Sequence, residues 1–67
     1  DVHDRQRASS AADAAALAGA IDGRVGAERL ASRNGAELVG WWVDGDAVTV
    51  RVRVGTQVVA ARATDGP

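Results

Sequence analysis

The apolar residues change their spacing at Asn34-Gly35, and that change commits the chain to helix first and sheet afterwards. Ahead of it, Ala8, Ala11, Ala12, Ala14, Ala15, Ala16, Ala18 and Ala20 crowd a stretch that reads as helix from about Asp4 to Asp22, since alanine is the best helix former. Leu17 and Ile21 stand one turn apart and join Ala14 and Ala18 in an apolar stripe at i, i+3, i+4, i+7 spacing. Ser9, Ser10 and Asp13 mark a polar side. Gly23 and Gly26 predict a break, after which a short second helix, about Ala27 to Arg33, turns Leu30 and Ala31 inward. Asn34-Gly35 then reads as a carboxy-terminal cap, because both residue types tolerate left-handed backbone angles. The helical region therefore covers residues 4–34.

Beyond the cap the residues alternate. A strand is expected from about Ala36 to Val43, with Asp44-Gly45 as a type I′ hairpin turn. The next strand, Ala47 to Val54, places Val48, Val50, Val52 and Val54 on one face and Thr49, Arg51 and Arg53 on the other. Gly55-Thr56 suits a type II′ turn, and a third strand, Gln57 to about Ala63, sets Val59, Ala61 and Ala63 beside the valines. Asp65-Gly66-Pro67 ends the chain. The valine face is the one that the helices must cover, since arginine and threonine point the other way. The first hairpin leaves two registers open. A two-residue Asp44-Gly45 turn puts Val39 and Trp41 on the valine face, whereas a three-residue loop including Asp46 puts Leu38 and Trp42 there. In both, one tryptophan is inside and its neighbour outside. The expected fold is α+β in one domain over 1–67: a long amino-terminal helix and a short second helix on a three-stranded antiparallel meander at 36–64.

A core in a chain of 67 residues rarely supplies more than roughly 3–5 kcal/mol, so domains of this size usually carry a staple. With no cysteine there is no disulfide, and with His3 as the single histidine no metal site is expected. A partner, a second copy or a membrane segment is left to supply the rest. The net charge of −1 gives no field to draw in nucleic acid or an anionic membrane, although all eight basic residues are arginine. No apolar run approaches the roughly 18–20 residues of a bilayer span. The chain opens Asp1-Val2-His3 without methionine and reads as cut from something longer, with an anchor expected upstream.

No residue set reads as catalytic, and no cofactor is expected. Asp44 and Asp46 bracket Gly45 as a hairpin requires, without the further oxygen ligands of a calcium loop. Asp13 and Asp22 read as a solvated helix face. His3 has no nucleophile in context, Ser9-Ser10 reads as helix surface, and neither Gly23 nor Gly26 precedes the lysine of a phosphate loop. The candidate contact residues are Trp41 or Trp42, whichever faces out, with Arg51, Arg53 and Arg62, because tryptophan and arginine are enriched where proteins meet. The plainer alternative is a tryptophan lying across its own sheet with an arginine stacked on it.

Several strings together resemble the TadE/TadG-like minor pilins of tight-adherence (Flp-type) pili, particularly the short actinobacterial type. The alanine-rich stretch from Arg5 to Ala18 is similar to the segment that follows the transmembrane helix in that family. Ala31-Ser32-Arg33-Asn34-Gly35-Ala36-Glu37-Leu38, Val43-Asp44-Gly45-Asp46-Ala47-Val48-Thr49-Val50 and the closing Ala60 to Pro67 resemble three further family strings. Family members often carry a cysteine pair, one of them near where Trp41 stands; here neither is present. The resemblance implies a pilin-like plan and a non-enzymatic subunit of pilus assembly, membrane-anchored and displayed at the cell surface. Its partners would be other pilin subunits or pilus assembly proteins. A small partner-binding module or a homodimeric structural domain is the alternative.

Overall fold

The computed structural model describes residues 2–64 and has an α+β architecture. One helical element, α1 (Val2–Arg33), packs on an antiparallel sheet of β1 (Glu37–Asp44), β2 (Ala47–Val54) and β3 (Gln57–Thr64), in the order β1-β2-β3. Asp65-Gly66-Pro67, expected to close the chain, lies outside the described residues.

The expected break and separate short helix take a different form. Helix runs from Val2 to Arg33, and the one residue inside it with non-helical angles is Gly23, at φ 77° and ψ −166°. That region of backbone space is open essentially to glycine alone. Gly26 does not break the helix. It is buried, and a Cβ there would lie 2.9 Å from the carbonyl oxygen of Ala18. The kink folds α1 back on itself. A Cβ on Gly19 would stand 3.3 Å from the Cβ of Ala27, although residues eight apart are about 12 Å apart along a straight helix. The longest extent of the molecule is 35 Å, whereas 32 straight helical residues would need about 48 Å. An exposed Arg24–Glu28 ion pair at 3.4 Å lies one turn beyond the kink.

The cap at the end of α1 forms as its residues suggest. The Ala36 N–H donates to the Ala31 carbonyl at 2.9 Å and the Gly35 N–H to that of Ser32 at 3.0 Å, the paired bonds of a Schellman motif. Gly35 has φ 72°, and the Asn34 side-chain amide donates to the Leu30 carbonyl at 2.8 Å. These bonds satisfy carbonyls that the helix end would otherwise orphan.

The buried face of the helix is not the expected stripe. Ala8, Ala11, Ala12, Ala15 and Ala16 are buried, at i, i+3, i+4, i+7, i+8 spacing, together with Ala27 and Ala31 from beyond the kink. Leu17 and Ile21 point away from the sheet, 59 % and 66 % exposed, and Val25 is 66 % exposed. Leu30 is half-buried, whereas Ala31 is in the core as expected. The reason is volume. Val48, Val50 and Val52 fill the space above the sheet, with Trp41 and Leu38 beside them, so the helix approaches on methyl groups. α1 lies chiefly over β3 and β2 and covers less of β1.

Both hairpins close with two-residue loops, since Asp44 pairs with Ala47 and Val54 with Gln57. The first turn is Gly45-Asp46, not the expected type I′ turn at Asp44-Gly45. Gly45 and Gly55 have φ of 61° and 59°, and neither Asp46 nor Thr56 has a positive φ. Positive φ at the first central position alone is the type II′ pattern. The register combines parts of the two expected alternatives. Trp41 pairs with Val50 and Leu38 with Val52, because an irregularity between Leu38 and Gly40 takes Val39 out of the ladder. Leu38 and Trp41 therefore both face the helix, and Val39 and Trp42 are exposed.

Candidate functional site

The molecule offers two surfaces, one on each layer. On the sheet, alternation sends Thr49, Arg51 and Arg53 of β2 away from the helix. The ladder then sets Trp42 opposite Thr49 and Thr49 opposite Arg62; the next row holds Gly40, Arg51 and Ala60. Glu37, Arg53 and Val58 form the row beyond. Four of the five candidate contact residues, Trp42, Arg51, Arg53 and Arg62, thus share the outer face. The fifth, Trp41, does not. It is half-buried on the inner face, where a Cβ on Gly19 would come within 2.6 Å of its ring.

Trp42 lies across its own sheet. A Cβ on Gly40 would collide with its ring and stand 3.1 Å from the Cβ of Arg51, so the absence of a side chain at Gly40 is what seats the indole. The Arg51 guanidinium is 5.6 Å from the ring centroid, within the range of a cation–π contact. The ring nevertheless stays 52 % exposed. This is the plainer arrangement expected for the residue, a tryptophan across its own sheet with an arginine over its ring. Arg53 bonds to the Glu37 carboxylate. Arg51 and Arg62 pair with no carboxylate among the described residues.

The second surface is the outward ridge of Leu17 and Ile21, with Val25 just past the kink. Sequence reasoning placed Leu17 and Ile21 in the apolar stripe of the helix and so missed them as surface. The signal was present, because the alanines at 8, 11, 12, 15 and 16 form a complete helical stripe without them. An open notch of about 370 Å³ lies between Gly19, Ala20 and Gly23 on one side and Trp41, Val43, Gly45, Asp46 and Val48 on the other. Asp46 is its one charged lining residue.

Among the described residues no three histidine, aspartate or glutamate side chains converge on a point that could hold a metal ion. His3, Ser9, Ser10, Asp13, Asp22, Asp44 and Asp46 are all exposed. No described helix is long and apolar enough to cross a membrane. No family model matches the chain, and no curated protein or solved structure shows significant similarity to it.

Proposed function

We propose that this domain is a packing subunit: the non-enzymatic, pilin-like part of a minor pilin or pseudopilin that helps assemble a tight-adherence surface pilus, anchored in the membrane through a helix preceding Asp1. The observation that carries the reading is the inverted helix. Alanines cover the domain's own sheet, and Leu17 and Ile21 are held out to solvent. A helix that met nothing else would gain by burying its largest aliphatic side chains, at about 1.5–3 kcal/mol each. Presented on the far side, they are placed to pack against a neighbouring subunit's helix. In this reading the arm of α1 beyond Gly23 serves as the short second helix of the pilin-like plan, and the face bearing Trp42 and the arginines points to other assembly proteins. The resemblance of Arg5–Ala18, Ala31–Leu38 and Val43–Val50 to the family strings supports the same assignment.

The test is the gene sequence upstream of Asp1, joined to an assembly assay. The expected finding is an apolar stretch of about 20 residues immediately upstream. Leu17→Glu with Ile21→Glu in the full-length protein should then abolish incorporation into fibres while the domain still folds. A coding sequence that begins within a few residues of Asp1 would refute the pilin reading. The homodimer alternative draws on the same ridge and is separated by light scattering: a mass that stays monomeric across concentration removes it.

A further inference from the structure

We propose that the outer sheet face around Trp42 is a docking strip for an extended acidic segment of a partner protein, with Arg62 and Arg51 taking carboxylates and the indole, beside Arg51 at the β1 end of the strip, making an apolar contact. This gives the sheet face of the fibre reading a ligand chemistry. Its test involves no fibre, so the two ideas fail separately.

Three observations converge on that occupant. The first is charge. A protein of net charge −1 gathers Arg51, Arg53 and Arg62 on one sheet face. Glu37 takes up Arg53, which leaves Arg51 and Arg62 without a carboxylate among the described residues. Guanidinium groups so placed favour carboxylates, which they bind bidentately. The second is spacing. Arg51 is opposite Ala60, so Arg62 is its diagonal neighbour, about 7–8 Å away on the same face. Alternate residues of an extended peptide are about 6.7 Å apart and point to one side, so carboxylates at i and i+2 reach both arginines. The third is area. Three eight-residue strands present a footprint of roughly 350–400 Å², well under the about 800 Å² that each partner contributes to a stable globular complex. A single extended segment matches that strip, which offers too little area for a stable contact with a second folded copy. The Trp42 ring reaches over Gly40 beside Arg51 and supplies the apolar contact at the β1 end of the strip.

The two indole N–H signals of the domain make the test direct, since Trp41 faces the helix and Trp42 the strip. A blocked peptide of about seven residues, with valine, glutamate and glutamate at alternate positions on one side and serine between them, should shift the Trp42 signal saturably and leave that of Trp41 nearly unmoved. Arg51→Gln with Arg62→Gln should weaken binding by about threefold or more, as expected for two solvent-exposed ion pairs. Raising the salt from about 20 to 300 mM should weaken it in the unaltered protein, a check that needs no variant to fold. Equal binding of the glutamine-for-glutamate peptide would overturn the proposal. So would unchanged affinity in a folded double variant, no shift at millimolar peptide, or a shift produced by oligothymidine and not by the peptide.

Discussion

Alanine in its two mirror forms at position 23 isolates what the kink in α1 costs. A Cβ at Gly23 would meet nothing within 4 Å, so an added methyl group carries no packing term. What remains is backbone. At φ 77° and ψ −166° an L-residue sits in the glycine-only region, at a cost of about 1–3 kcal/mol. Against that, alanine stiffens the unfolded chain and returns about 0.4–1 kcal/mol. Gly23→Ala should therefore destabilise by about 1–2 kcal/mol, a large part of the roughly 3–5 kcal/mol that a core of this size supplies. With a urea m-value near 1 kcal/mol/M, the lower limit for small proteins, the midpoint followed by circular dichroism should fall by about 1–2 M. D-alanine, introduced by total synthesis, has the opposite preference. For it the same angles mirror an ordinary extended conformation, and the midpoint should rise with the full unfolded-state gain. If the helix were straight, L-alanine would instead stabilise by about 1 kcal/mol through propensity, and D-alanine would be the harmful one. An L-alanine variant as stable as the parent would refute the folded-back helix.

Three further expectations follow from the packing. Val50, fully buried under α1, should cost about 2 kcal/mol when changed to alanine, with loss of two methyl groups and a partly relaxed cavity; chemical denaturation measures it, and a loss below about 0.5 kcal/mol would place Val50 outside the core. Ala15→Leu should destabilise by about 1–3 kcal/mol, because the helix rests on the sheet through methyl groups, and a neutral thermal midpoint would show a looser layer. Leu17→Ser with Ile21→Ser should stay within about 0.5 kcal/mol per site, since both side chains face water; a combined loss above about 2 kcal/mol would show that they are core after all.

The sheet and the cap were legible in the sequence, and the helix packing was not. Val48, Val50, Val52 and Val54 alternate with polar residues in β2, and a strand with one buried face allows a single reading of that pattern. Asn34-Gly35 carries its own backbone preference, so the cap needs no tertiary information. The first helical arm is different. Its alanines give almost no contrast between faces, and the ranking of side chains by size pointed to Leu17 and Ile21, the wrong side. Only the volume already filled by the valines and Trp41 decides which face goes in. Gly23 and Gly26 look alike in sequence. One takes a positive φ; the other stays helical, at a place where Ala18 and Asp22 leave no room for a side chain. In β1 the apolar run Val39 to Val43, interrupted only by Gly40, hides the alternation, so the irregularity that removes Val39 from the ladder could not be seen. Among the candidate contact residues, the outward placement of Arg51 and Arg53 follows from the β2 pattern. The seat of Trp42 over Gly40 depends on the side-chain rotamer, which the alternation does not specify.

The most direct measurement joins the helix ridge to its use. Residues 1–67 hold no cysteine, so a single Ile21→Cys change places one reporter thiol in this domain of the full-length protein. The expected result is protection of that thiol from a water-soluble maleimide in assembled material, and its oxidation there to a disulfide with a second polypeptide that carries a cysteine at the facing position. Full labelling in assembled material, with no cross-link from any partner position, would show that the ridge meets only solvent and would contradict the packing-subunit reading.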